Sequence, residues 1–248
     1  VFPPVHPAAS APGCRREARR VANLVGIGVT IATSVGSWRG RRLRGLCARG
    51  PLRDRLRGCR AEGCVAAGSP LSVVIVPGNG AGPVRSCNWY GWLEEKLLKA
   101  GAGRVALKEM PDPIGAREDV WLPFITESLA GGEACLPRTV VVGHSSGAAA
   151  AMRLAEVHRL AGIVLVAAYQ SDMGYPSERA SGYFSRPWQW EKQRENCDWI
   201  VQFASTDDPF LPLDSEQRAV RDALSPKVEY YELVGRSHFF EPFGELLE

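Results

Sequence analysis

The sequence predicts an α/β fold over residues 71–248, a three-layer sandwich around a six-stranded parallel sheet in the order 2-1-3-4-5-6. Three observations lead there. Short apolar, β-branched runs recur between stretches with helical spacing. Each run is four to six residues long and most are largely apolar, the pattern of strands buried on both faces. And a Gly-x-Ser-x-Gly pentapeptide stands where one such run meets a helical stretch.

Leu71–Val76 (LSVVIV), stopped by Pro77 and Gly78, is the first strand. Residues 89–100 place Trp89, Trp92, Leu93 and Leu97 at helical spacing and end at Gly101 and Gly103. Arg104–Lys108 (RVALK) reads as the second strand. Glu118–Leu129 reads as a helix, with Pro123 either in its first turns or kinking it. Thr139–Val142 (TVVV) is a strand, and an Ala-rich helix follows from Ser146 to about Arg159. Ile163–Ala167 and Ile200–Ser205 are further strands, Asp214–Leu224 a helix, and Val228–Leu233 the last strand. Alternation of strand and helix gives a parallel sheet covered on both faces, and right-handed crossovers leave few ways to wind it. The outcome is Rossmann-like.

Residues 1–70 are unlike the rest. They hold thirteen Arg, no Lys and three acids, a net charge of +10, against −7 for residues 71–248. This Arg/Gly/Ala/Pro-rich stretch reads as a disordered extension. A mitochondrial targeting segment and a nonspecific nucleic-acid or membrane contact are lesser readings. Its most apolar part, Val21–Ser37, falls short of a bilayer span. The first residue is Val1, which suggests a fragment or a processed product. No specific nucleic-acid partner and no membrane association are expected.

The seven cysteines are irregularly spaced and include no C-x-x-C pair, so neither a disulfide framework nor a zinc site is expected. Reduced thiols point to a cytoplasmic or nuclear compartment.

Gly143-His144-Ser145-Ser146-Gly147 is the informative motif. A serine on a tight strand-to-helix turn needs small neighbours two positions away on each side. The turn lifts its hydroxyl above the carboxyl edge of the sheet, at the start of a helix that favours developing negative charge. Only Ser145 has glycines on both sides, which makes it the candidate nucleophile of an α/β-hydrolase. The N–H of Ser146 then supplies half of an oxyanion hole. The glycine-rich loop Pro77–Gly82 offers Asn79 or Gly80 for the other half.

Histidine is scarce. His6 lies in the Arg-rich stretch, His144 directly precedes the candidate nucleophile, and His158 is 13 residues down the helix from Ser145, about 20 Å away. His238, in the loop after the last strand, remains as the general base. The acid belongs at the end of the preceding strand, where Asp207 and Asp208 stand side by side and the pattern alone does not separate them. The order Ser, Asp, His is the one α/β-hydrolases use. Such a triad needs neither a metal nor an organic cofactor.

Between the fourth and fifth strands lie Tyr183, Phe184, Trp188 and Trp190, either lining a substrate pocket or anchoring a cap by packing.

Several segments together resemble the retinoblastoma-binding protein 9 family of small serine hydrolases. They are VIVPGNG (74–80), WYGWL (89–93), MPDPIGARE (110–118), VWLPFI (120–125), VVGHSSGAAAAMR (141–153), IVLVAAYQSD (163–172), ERASGYFSRPWQWEK (178–192) and IVQFASTDDPFLP (200–212). The resemblance covers nearly all of residues 71–248. It implies a triad of Ser145, Asp208 and His238, which selects the second aspartate, and a small amide or ester substrate with aminopeptidase-like cleavage of aromatic or apolar aminoacyl groups. The chain departs from the family in three places. No Leu-x-Cys-x-Glu occurs, residues 133–137 reading EACLP, so a retinoblastoma-type pocket protein is not an expected partner. Residues 1–70 have no counterpart. The chain stops ten residues after His238, so the last flank of the sheet is expected to be thinly covered. The competing reading from another class is a non-catalytic adaptor that keeps the fold for protein binding.

Overall fold

The computed structural model describes residues 71–248. The expected extension at 1–70 lies outside the described residues, and so do its four cysteines. Six strands form one all-parallel sheet: β1 (Ser72–Val76), β2 (Arg104–Ala106), β3 (Thr139–His144), β4 (Gly162–Val166), β5 (Ile200–Ser205) and β6 (Val228–Leu233). Their order is β2-β1-β3-β4-β5-β6, as the sequence predicts. β3, β4 and β5 are buried along their whole length, whereas β6, an edge, is only partly buried.

The helices are α1 (Tyr90–Lys99), α2 (Glu118–Pro123), α3 (Ser146–Val157), α4 (Pro176–Ser181), α5 (Trp190–Asn196) and α6 (Ala219–Leu224). α2 and α5 pack on or beside α3, and α6 adjoins α5, forming one layer. α1 follows the only connection that winds in the other direction, so it covers the opposite face. The final residues join α1 there. Trp89 donates its indole N–H to the Phe239 carbonyl at 2.9 Å and meets Phe243 edge-on, while Phe239, Phe243 and Leu246 are buried. Three apolar side chains from this short segment reach the core, while Tyr231, Glu232 and Leu233 of the last strand stay only partly buried, in line with the thin cover expected of that flank.

Pro123 is also more than a kink. α2 ends on it and the chain continues as wider π-helical turns through Phe124–Ala130. Proline has no N–H to offer the carbonyl four residues back, and its ring crowds that carbonyl, which loosens the winding. β2 is shorter than RVALK suggested, pairing with β1 over only three residues before the chain leaves the sheet.

The strand order reverses between β1 and β3. The loops leaving the carboxyl ends of these two strands therefore diverge and open a crevice, the usual place for a ligand in such sheets.

Candidate active site

Ser145 stands at the end of β3 with φ 54° and ψ −118°, a backbone conformation that side chains rarely adopt. The two glycines explain how it is held. A Cβ on Gly143 would come within 2.2 Å of the Gly147 carbonyl oxygen, and one on Gly147 within 2.3 Å of the Val76 carbonyl oxygen. Both places are closed to any larger residue. The Ser145 N–H donates to the Val166 carbonyl at 2.9 Å, tying the turn to β4. The Ser145 hydroxyl oxygen is buried and has no hydrogen-bond partner, an unusual state for such an atom and one that suits a reactive group.

Ser145 and His238 line one cleft, together with Gly78, Asn79, Ala81, Cys87, Asn88, Tyr90, His144, Phe210 and Phe240. His238 Nδ1 lies 2.8 Å from Asp208 Oδ2, and the Asp208 side chain is wholly buried. The other Asp208 oxygen accepts the N–H groups of Phe210 and Leu211 at 2.9 and 3.1 Å. Asp207 turns elsewhere. Its Oδ1 accepts the Ser205 hydroxyl at 2.7 Å and the successive N–H groups of Gly235, Arg236 and Ser237 at 3.0 to 3.2 Å. The Ser205 hydroxyl, followed by those backbone donors, holds its carboxyl below the usual range.

The two candidates for the second oxyanion donor are separated by their backbones. The Gly80 N–H donates to the Pro113 carbonyl at 2.7 Å and is committed there. Gly80 is also absent from the cleft lining, so it is struck from the pair, whereas Asn79 faces the cleft. Ser146, the first residue of α3, carries one of the N–H groups that a helix start leaves without an intrahelical partner.

Tyr183, Phe184, Trp188 and Trp190 do not line this cleft. Tyr183 is fully buried, Phe184 packs against Tyr169 and Trp188, and Trp188 stacks on Trp190. Trp188 also covers the guanidinium of Arg153 at 3.7 Å. Arg153 is buried, ion-paired with Glu156 at 2.8 Å, and donates to the carbonyls of Tyr183, Arg186 and Pro187. The aromatic segment is thus wrapped on a buried arginine, and the packing alternative describes all four residues.

Sequence reasoning missed the side chains that surround the base. Phe210 and Phe240 flank the His238 imidazole, with centroids at 5.0 and 5.6 Å. Each stands two residues beyond a triad candidate, a spacing that carries no signal on its own. His144, which directly precedes Ser145, has its ring 5.0 Å from that of His238. Burial, and then the neighbouring His238, hold His144 well below its ordinary pKa, so it is neutral. Among the described residues no group of His, Cys, Asp and Glu side chains is arranged to hold a metal ion. No described helix is long and apolar enough to cross a membrane.

Comparison with known proteins agrees with this architecture. The family model described as Serine hydrolase matches residues 73–239. Serine hydrolase RBBP9 of Rattus norvegicus is 53% identical over 171 residues, covering 69% of this chain and 88% of that protein. Among solved structures, the ydeN gene product of B. subtilis superposes with a TM-score of 0.56 at 25% identity, over 68% of this chain and 88% of its own. A monoacylglycerol lipase of Paleococcus ferrophilus gives a TM-score of 0.48 at 19% identity, over 66% and 84%. With a strained Gly-x-Ser-x-Gly turn at the switch point of a 2-1-3-4-5-6 sheet and a family model spanning most of the chain, this protein belongs to the serine hydrolase family.

Proposed function

We propose that the chain hydrolyses small amides or esters through an acyl-enzyme on Ser145, with His238 as general base and Asp208 as the acid that orients it. The observation that carries the reading is the 2.8 Å contact between His238 Nδ1 and the buried Asp208 carboxylate, beside a cleft shared with an unpartnered serine hydroxyl. A carboxylate on Nδ1 selects the tautomer that protonates that nitrogen and leaves Nε2 as the base. Nε2 takes the Ser145 proton as the hydroxyl attacks the acyl carbon. The N–H groups of Ser146 and Asn79 receive the negative charge of the tetrahedral intermediate. The proton passes to the leaving group, and water, activated by the same imidazole, releases the acyl group.

The cleft is narrow, with a cavity volume of about 20 Å³, which favours a short acyl group at Ser145. Its apolar wall of Ala81, Phe210 and Phe240 suits an apolar or aromatic side chain, the class that aminopeptidase-like cleavage would use. All three described cysteines are unpaired, which supports a reducing compartment, cytoplasmic or nuclear.

The test is labelling of the full chain by a fluorophosphonate, with hydrolysis of p-nitrophenyl esters and aminoacyl coumarin amides measured alongside. Labelling and turnover that vanish in Ser145→Ala are expected. A folded wild type that neither labels nor turns over any substrate would identify a non-catalytic member of the family.

A further inference from the structure

Behind the cleft, four polar groups outside the proposed triad are linked in a chain with its directions fixed. The Tyr90 hydroxyl accepts the Gly78 N–H at 3.0 Å and the Asn88 side-chain amide at 3.1 Å. It also lies 2.6 Å from His144 Nδ1, and His144 Nε2 lies 2.9 Å from the His238 carbonyl oxygen. A phenol has one proton and two lone pairs. With both lone pairs occupied, its proton goes to His144 Nδ1. His144 must then carry its own proton on Nε2, and donates it to the backbone of His238. Every donor in the sequence has an acceptor, and no second arrangement satisfies them all.

The two ends of this chain are the parts of the site that must not drift. Gly78 precedes Asn79, the proposed oxyanion donor, and its own N–H is fixed by Tyr90. His238 is held at its carbonyl by His144 and at its ring by Asp208. We infer that Tyr90 is a positioning residue, locking the oxyanion loop directly and the loop of the base through His144, so that both keep one register over Ser145. This rests on the acyl-enzyme reading above. Tyr90 and His144 are both buried, and Trp89 packs edge-on against each ring at 4.9 and 5.7 Å, which fixes the planes in which the hydrogen bonds form. A neutral His144 has a second use. The base becomes an imidazolium during attack, and a charged ring 5.0 Å away would oppose that step.

Tyr90→Phe keeps the ring and its packing and removes only the hydroxyl. With p-nitrophenyl acetate as substrate and the full chain, kcat is expected to fall about 10- to 100-fold with KM within about twofold, the signature of misplaced rather than missing groups. His144→Leu should give a similar loss, and the double variant should be no worse than the poorer single, because both cut one chain. His144→Gln, which retains a donor near the Nε2 position, should recover part of the rate. Wild-type kcat in Tyr90→Phe, or losses that multiply in the double variant, would overturn the inference. Should Tyr90→Phe not fold, the imidazole nitrogen shifts of the wild type decide. A neutral His144 protonated on Nε2 is expected between about pH 6 and 8, and protonation on Nδ1 overturns it. Wild-type turnover that survives Ser145→Ala sinks the acyl-enzyme reading and this one together. Turnover lost in Ser145→Ala but unchanged in Tyr90→Phe sinks only this one.

Discussion

Asp207 and Asp208 are neighbours in the chain and hold the same loop in two different ways: Asp208 takes the His238 ring, and Asp207 takes the backbone N–H groups of Gly235, Arg236 and Ser237 that lead to it. One carboxylate sets the tautomer of the proposed base, and the other sets where the base stands. A pair that looks redundant in sequence is a division of labour in space.

That division gives different kinetics for the two amides. Asp208→Asn should leave the fold intact and lower kcat on the order of 10⁴-fold, because an amide facing Nδ1 favours the wrong tautomer. Asp207→Asn should cost much less, about 10-fold, by loosening the loop without changing the protonation of the ring. Steady-state kinetics on the two variants decides. Equal losses would mean that the carboxylates share one role.

His144 predicts a pH dependence of stability. Its folded pKa lies well below the ordinary 6.5, so below that value the unfolded chain binds a proton that the folded chain does not. Stability from this group is therefore complete above about pH 6.5 and is lost as pH falls beneath it, by at most about 1.4 kcal/mol per pH unit. Urea midpoints of wild type and His144→Gln, taken from pH 8 down to pH 5, should converge on acidification. Parallel curves would show that the imidazole is not held neutral.

The elbow glycines should tolerate nothing. Gly143→Ala and Gly147→Ala each place a methyl group against a backbone carbonyl that has no room to retreat, at 2.2 and 2.3 Å. Each is expected to cost about 3 kcal/mol or more and to abolish fluorophosphonate labelling. Gly80→Ala tests a different constraint, since it has open space around it but a positive φ of 77°. It should cost only about 1 kcal/mol.

Arg153 and the aromatic residues over it should act on stability rather than substrate choice. Arg153→Ala leaves the Glu156 carboxylate buried without its partner, a loss of about 3–5 kcal/mol. Trp188→Phe should lower the unfolding midpoint while leaving the ranking of substrates unchanged. Phe210→Ala and Phe240→Ala should do the reverse, raising KM most for apolar acyl groups. A changed substrate ranking in Trp188→Phe would restore the cap aromatics to the pocket.

The sequence by itself determined the sheet, its order and the position of the elbow. Those features rest on local rules. A strand buried on both faces is mostly apolar, as β3 to β5 are, and a turn with backbone packed against its flanks must have glycine there. The scarcity of histidine brought His238 forward for a similar reason, because few residues could serve. Tertiary structure decided the rest: that Asp207 takes the backbone N–H groups of Gly235, Arg236 and Ser237, that the Gly80 N–H is already taken by Pro113, and that Phe210 and Phe240 rather than Trp188 and Trp190 wall the cleft. It also supplied the link from Tyr90 to His144, 54 residues apart in the chain. Hydrogen bonds and packing partners of this kind depend on where side chains arrive after the strands have paired, and no periodicity along the chain encodes that.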